Sequence, residues 1–296
     1  MSIEFALPTP LESYSFKGID FFLKRDDLIH KDFSGNKARK IYYYLEHLPK
    51  DITTIVSYGS LQSNAMYSLA RFARLYNLKF IYYAHHFNQK LLANPSGNLA
   101  MALENEMILK EGYEHIQVDN NTLFIKEGIA QKEAYYGIEL LAKELIQQLA
   151  KNQNYQIFLP SGTGTTALFL SKALQKLQAS HIEVFTTACV GGSSSYLLEQ
   201  FQELEANPKY YPTIIETKKK YHFAKLYKEF YQIWLELQKE TQVEFDLLYD
   251  PKAWIAILEN KELFSNLVYI HQGGLLGNIS MHQRYRSKYN EDNKNN

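Results

Sequence analysis

The chain reads as an α/β protein built on mainly parallel sheets, and three observations carry that reading. Short β-branched or aromatic runs alternate with longer segments of helical period. Glycine-rich stretches fall where such a run ends and a helix begins, the place where α/β folds build ligand sites. The 296 residues are 46% hydrophobic and contain no Pro/Gly/Ser-rich linker and no internal repeat, so a sizeable core is within reach and composition marks no domain boundary.

Taken in order, "FFLKRDD" (21–27) is a short strand and "GNKARKIYYYLEHL" (35–48) a helix. "ITTIVSYG" (52–59) is a strand followed by the helix "SNAMYSLARFARLYN" (63–77). The strand "KFIYYAHH" (79–86) precedes a helical pattern over "GNLAMALENEMILKEG" (97–112). "HIQVD" (115–119) reads as a strand, and "QKEAYYGIELLAKELIQQLAKN" (131–152) as a long helix. "YQIFLP" with "TTALFLSKALQKLQ", then "HIEVFTTACV" with "SSSYLLEQFQEL", form two further strand–helix pairs. The helical "YHFAKLYKEFYQIWLELQKET" (221–241) and the strand "NLVYIHQGG" (266–274) close the series, and the polar end from Ser287 is expected to fray.

Composition excludes several function classes. With 32 basic and 32 acidic residues no bulk field invites nucleic acid or an anionic membrane. The single cysteine, Cys189, cannot form an internal disulfide, which fits a reducing compartment. "MSIEFALPTPLESY" lacks the basic and apolar regions of a signal peptide, and no apolar run reaches the roughly 18–20 residues of a bilayer span. A cytoplasmic protein acting on a small molecule is the expectation.

"YQIFLPSGTGTTALFL" is the most informative local pattern. Ser161-Gly162-Thr163-Gly164-Thr165-Thr166 opens a helix directly after a strand, so backbone amides and hydroxyls can surround an anion at the positive end of the helix dipole. Three readings stand side by side: a capped strand-to-helix turn, a dinucleotide fingerprint of the form G-x-G-x-x-A, and a monophosphate cup. The fingerprint wants an acidic residue at the end of the following strand, and the candidate Glu183 sits at its start. A Walker loop is ruled out because no Gly-Lys-Ser/Thr follows. The phosphate cup is preferred. Ser63 and Asn64, after "SYGSLQ", either cap the next helix or reach a ligand; the glycine pair in "IHQGGLLGN" is read as close backbone packing.

Lys37 lies at the start of a helical pattern whose continuation, "IYYYLEHL", is apolar. Most helical lysines are solvated, and Arg39 and Lys40 are read that way. A lysine in desolvated surroundings has a lowered pKa and serves as nucleophile and base. A Schiff-base lysine, a phosphate cup and polar side chains at a third loop together describe a site for pyridoxal phosphate.

At these residues the sequence resembles the 1-aminocyclopropane-1-carboxylate deaminase/D-cysteine desulfhydrase family. "FFLKRDDLIHKDFSGNKARKIYYYLE" is similar to its K-R-D-D-L…G-G-N-K-x-R-K-L signature, "SYGSLQSNA" to G-G-I-Q-S-N and "PSGNLAMA" to G-G-N-L-L-L. "KEGIAQKEAYYGIELLAKEL" resembles the P-E-G-G segment and its helix, "LPSGTGTTALFL" the phosphate loop, "FDLLYDPKAW" the D-P-V-Y-x-G-K-A motif and "HQGGLLGN" the H-T-G-G-x-P-G-L segment. The resemblance implies a tryptophan-synthase-β-like fold of two domains, residues 1–47 with 151–296 and residues 48–150, with pyridoxal 5'-phosphate in the cleft between them. It also implies a homodimer and a small amino-acid substrate.

Carried over by position, the resemblance makes Lys37 the residue that holds the cofactor and moves the substrate's Cα proton. Asn64 would bond the ring hydroxyl, and Ser63 the substrate carboxylate or the reacting carbon. Ser161 and the run Gly162, Thr163, Gly164, Thr165, Thr166 would hold the phosphate. Tyr249 aligns with an active-site tyrosine, and Asp250 falls where the deaminases carry a glutamate near the pyridine nitrogen. The implied activity is elimination and deamination of D-cysteine or a related β-substituted amino acid, with the cyclopropane deaminase as the alternative. The departures are Ser34 for the first glycine of G-G-N-K, Ile129 for the second of P-E-G-G, Ala65-Met66-Tyr67 after Gln-Ser-Asn, Pro251 for the glycine of Y-x-G-K-A, and Gln272 where deaminases tend to have leucine and desulfhydrases threonine. Tyr221 is a candidate for a second active-site tyrosine.

Overall fold

Two sheets organise the molecule. The computed structural model describes residues 4–33 and 35–292. In chain order these form β1 (Leu11–Phe16), β2 (Ile19–Lys24), α1 (Gly35–His47), β3 (Thr54–Tyr58), α2 (Asn64–Leu75), β4 (Lys79–Ala84), α3 (Gln89–Ala93) and α4 (Gly97–Glu104). Next come β5 (Ile108–Glu111), β6 (Thr122–Ile125), α5 (Ala134–Gln148), β7 (Tyr155–Ser161), α6 (Thr165–Lys176), β8 (Ile182–Ala188), α7 (Ser194–Leu204) and β9 (Thr213–Ile214). The last are α8 (Lys228–Thr241), α9 (Asp250–Glu259), β10 (Leu267–Ile270) and α10 (Leu276–Asp292).

The larger sheet has the order β1-β2-β10-β7-β8-β9, the smaller β5-β4-β3-β6. All pairings are parallel except β1 with β2. That hairpin turns on Lys17 and Gly18, both with positive φ (49° and 77°), the backbone that matches the twist of the strands.

Alternation of side chains along the central strands builds two cores, one on each face of the larger sheet. Ile157, Leu159, Val268 and Ile270 face α5, α6 and α7. Phe158, Leu267 and Tyr269 face α8, α9 and α10, where Trp254 and Trp234 are buried. A third core joins the smaller sheet to α1, α2 and α4, with Ala38, Ile41 and Tyr44 of α1 packed beside Ile55, Met66 and Leu99. The α/β expectation therefore holds, with the larger sheet covered by helices on both faces and the smaller one packed on helices through the face of Ile55, Phe80 and Ile125.

Several element expectations are corrected. The helix expected over 97–112 stops at Glu104; Glu106 takes φ +63°, and 108–111 pairs with β4 as an edge strand. Pairing overrides the helical propensity of Leu109, Lys110 and Glu111 there. "HIQVD" is not a strand: Asp119 caps a turn through Asn121 N and Thr122 Oγ1, and the strand beside β3 is β6. The helix expected from Tyr221 begins only at Lys228, after Ala224 with φ +58°. The stretch from Ser287 is helical to Asp292 instead of frayed; residues 293–296 lie outside the described residues, as does Ser34.

Candidate active site

The carboxyl ends of β3, β6, β7 and β10 meet at one cavity of about 220 Å³. Of the site residues expected from the sequence, all but Tyr221 line it: Lys37, Ser63, Asn64, Ser161 to Thr166, Tyr249 and Asp250. They come from separate places along the chain, and the parallel topology is what gathers them.

Lys37 stands in the first turn of α1, and Nζ donates to Asn36 Oδ1 at 2.9 Å. Loss of water around the amine lowers its pKa to about 8, against which the carboxylate of Asp246 works in the opposite direction. Gly35 is needed just before it, since a Cβ there would lie 2.5 Å from the carbonyl oxygen of Gln272.

The phosphate-cup reading gains structural support. Gly164 has φ +72°, a Cβ on it would come 2.5 Å from the Phe201 ring, and no side chain caps α6. The dipole end of a twelve-residue helix is thus left to another partner. Thr166 Oγ1 is buried with no hydrogen-bond partner among the described residues, while Thr163 and Thr165 bond each other at 2.9 Å. A buried unpaired hydroxyl beside uncapped amides fits a phosphate oxygen. Ser161 differs: its hydroxyl bonds Thr186 Oγ1 at 2.6 Å, and Thr186 in turn donates to Leu159 O, so its side chain is occupied within the sheet. Glu183 is exposed at the amino end of β8, which leaves the dinucleotide reading without its acid.

Ser63 both caps α2, accepting from Ala65 N and Met66 N, and faces the cavity. Asn64 Oδ1 accepts from Asn98 Nδ2 at 2.7 Å, which turns Asn64 Nδ2 away from Asn98 and toward Gly274. Gly274, with φ +88°, makes room for it: a Cβ there would meet Asn64 Nδ2 at 2.6 Å and Asp246 Oδ2 at 3.0 Å. Gly274 is thus closely packed, as expected for the glycine pair, and its neighbours Asn64 and Asp246 line the cavity.

Asp250 accepts from Tyr269 Oη at 2.6 Å and from Asp246 N at 2.8 Å. Burial, and then the neighbouring carboxylate of Asp246, raise its pKa well above the usual range. Asp246 itself accepts from Leu248 N and Tyr249 N, and burial raises it to about 7. Tyr249 lies over Gly162 and against Phe223, with ring centroids 5.5 Å apart.

Three contributors were not legible as such. Asp246 occupies the first position of the D-P-V-Y-like motif, and Asn98 lies in "PSGNLAMA"; both belong to quoted landmarks, yet neither was given a role. Lys40, read as solvated, is 3% exposed, lines the cavity and donates to Gly128 O at 2.9 Å. Burial and then the charge of Lys37 lower its pKa well below that of a free lysine. Arg39 is fully buried as well, bonded through its guanidinium to Asp26 and Glu144. Tyr221 lies outside the cavity; Tyr196 and Phe223 are the aromatic side chains that line it beside Tyr249.

No protein-family model matches the chain. A Thermotoga maritima protein provisionally named as a 1-aminocyclopropane-1-carboxylate deaminase is 27% identical over 313 aligned positions, covering 96% of this chain and 99% of that one. The Arabidopsis thaliana bifunctional D-cysteine desulfhydrase/1-aminocyclopropane-1-carboxylate deaminase is 28% identical over 141 positions, 43% of this chain and 34% of that protein. In structure, an ACC deaminase homologue superposes with a TM-score of 0.75 at 20% identity, over 94% of this chain and 93% of its own. Threonine deaminase isoform 2 from Solanum lycopersicum superposes with a TM-score of 0.64 at 14% identity over 90% of this chain and 83% of its own, which speaks for the fold alone. In near-full-length sequence similarity, in fold and in the gathered landmarks, the chain is similar to the 1-aminocyclopropane-1-carboxylate deaminase/D-cysteine desulfhydrase family.

Proposed function

We propose that the protein eliminates the β-substituent of a small amino acid and deaminates it, with D-cysteine or a close analogue as substrate. The observation that carries the reading is the meeting, in one cavity, of a lysine with a pKa near 8 and a helix N-terminus whose buried Thr166 hydroxyl lacks a partner. Pyridoxal phosphate, when held there, supplies an electron sink that makes the Cα–H bond of an amino acid acidic.

The chain's own residues divide the remaining work. The backbone of Ser161 to Thr166 and the threonine hydroxyls hold the phosphate, with the amine of Lys40 close by on Gly128 O. Asn64 Nδ2, turned by Asn98, donates to the ring hydroxyl. Asp250, kept neutral by burial and by Asp246, is the carboxyl group that would pair with the cofactor's pyridine nitrogen. Ser63 binds the substrate carboxylate at the start of α2, where the helix amides favour an anion. Lys37 Nζ takes the Cα proton, a task suited to an amine near pKa 8. Tyr249 closes the site over Gly162 beside the reacting carbons. Departure of the β-substituent leaves an enamine that takes up water and yields a 2-oxo acid and ammonia, plus sulfide when the substrate is cysteine.

The acid at position 250 favours a second reading, 1-aminocyclopropane-1-carboxylate deamination to 2-oxobutyrate and ammonia. A panel of D- and L-cysteine, β-chloroalanine, serine and the cyclopropane amino acid, read for 2-oxo acid, ammonia and sulfide with cofactor supplied, separates the two. Cofactor held through Lys37 with no product from any of them would overturn both and leave an amino-acid-binding relative. Lys37→Ala should abolish both turnover and covalent retention of the cofactor.

We also propose the division into residues 1–47 with 151–296 and residues 48–150. Strand membership supports it, since β1, β2 and β7 to β10 form one sheet and β3 to β6 the other. At the seam, α1 rests its apolar face on the core of the smaller sheet.

A further inference from the structure

The loop after β10 does more than close the wall of the cavity. Gln272 Nε2 donates to Pro160 O at 2.6 Å, an atom that can only accept, so Gln272 Oε1 must be the end that accepts from Asn36 Nδ2 at 2.8 Å. Asn36 is thereby oriented with Oδ1 toward Lys37 Nζ, 2.9 Å away. The backbone repeats the latch: Asn36 N donates to Gln272 O at 3.1 Å, over the face of Gly35 that has no Cβ. An unbroken chain of amides thus runs from the end of β7, through the loop after β10, to the amine of α1.

We propose that Gln272 is a positioning residue that, through Asn36, fixes the place and protonation of the Lys37 amine. This rests on the reading of Lys37 as the reacting amine. Leucine at 272 offers neither donor nor acceptor, and threonine is too short to span Pro160 O and Asn36 together. Without Gln272 no other side chain among the described residues selects the orientation of Asn36, and its Nδ2 can face the amine instead. A donor facing an ammonium disfavours the charged form, while the accepting oxygen favours it.

The test needs no turnover. The rate at which Lys37 of the cofactor-stripped full chain is reductively methylated is followed against pH by mass spectrometry of the Lys37 peptide. Gln272→Leu should lower the midpoint by about one pH unit. Gln272→Glu, which still accepts from Asn36 and adds a carboxylate, should not lower the midpoint. In an Asn36→Ala background, Gln272→Leu should add nothing. An unchanged midpoint in a folded Gln272→Leu protein overturns the proposal, and so does the same shift with and without Asn36. With cofactor and an active substrate, Gln272→Leu should reduce kcat about tenfold with little change in KM, the mark of a group acting on the proton-transfer step. Failure of the substrate panel would leave the methylation result standing, so the two readings fail separately.

Discussion

Thr166 and Asp246 are polar side chains whose burial works against the stability of the fold. The hydroxyl of Thr166 is buried without a partner, an arrangement that costs roughly 1–3 kcal/mol in the absence of an anion. Thr166→Val should therefore stabilise the cofactor-free protein by about 1 kcal/mol and weaken cofactor binding about tenfold. Thermal unfolding and a cofactor titration check the two opposite signs. Asp246 has its pKa raised from 3.8 to about 7 by burial. The unfolded chain ionises this acid first, so its contribution to stability is full below about pH 4 and is lost as pH rises through 7. Asp246→Asn keeps an oxygen to accept from Leu248 N and Tyr249 N and removes the ionisation. In the cofactor-free protein its urea midpoint should gain on the wild type between pH 4 and pH 7; parallel midpoints would refute the assignment. Lys37 and Thr166 were legible because a lysine and a phosphate loop are local patterns. Lys40 was not, because its burial depends on Gly128, which α1 meets only in three dimensions.

At the scale of elements, close approaches of backbone set the geometry of the site. α5 crosses α1 so tightly that a Cβ on Gly137 would lie 2.0 Å from Arg39 O and 2.7 Å from the Cβ of Tyr42. Gly137→Ala should force the two helices apart at a cost of about 2–3 kcal/mol, lowering Tm by roughly 5–10 °C. Because α1 carries Lys37, cofactor binding should weaken in the same variant. The long, strongly periodic elements were readable from sequence, as α2, α5, α6 and α7 show. β5 was not: its residues favour a helix, and only pairing to β4 makes them a strand. The start of α8 was missed for a related reason. Residues 224–227 are held in non-helical form by α10, whose Arg284, Tyr285 and Lys288 donate to the carbonyls of Ala224, Tyr227 and Leu226. None of these partners is within a helical turn in sequence.

Across the whole molecule, one buried ionic network joins the chain's beginning to its middle. Lys24 of β2 and Arg39 of α1 both bond Glu144 of α5, Arg39 also bonds Asp26, and Thr9 closes the set. Removing one charge leaves the others uncompensated in a dry place, so Glu144→Gln should cost about 3–5 kcal/mol. Arg39 and Lys24 hold Asp26 and Glu144 below their ordinary pKa against the opposing effect of burial. Their stabilisation is present above about pH 4.5 and is lost as pH falls through the folded values. Urea unfolding between pH 3 and pH 6 should accordingly show a steep acid loss in the wild type and a shallower one in E144Q. The K-R-D-D run pointed to the family, but its task as the anchor of α1 emerges only once α5 is in place.

The order in which the cavity is assembled follows from where α10 lies. Gly277, Ser280, Met281 and Arg284 form part of the wall, and the same helix straps residues 224–227 beside it. The lysine and the phosphate loop leave the ribosome well over a hundred residues before that wall exists. A nascent chain can thus fold its sheets during translation but cannot enclose the site until α10 has emerged. Cofactor capture on this view awaits synthesis of α10, and chains stalled before α10 would carry the reactive amine in an unfinished, water-filled groove.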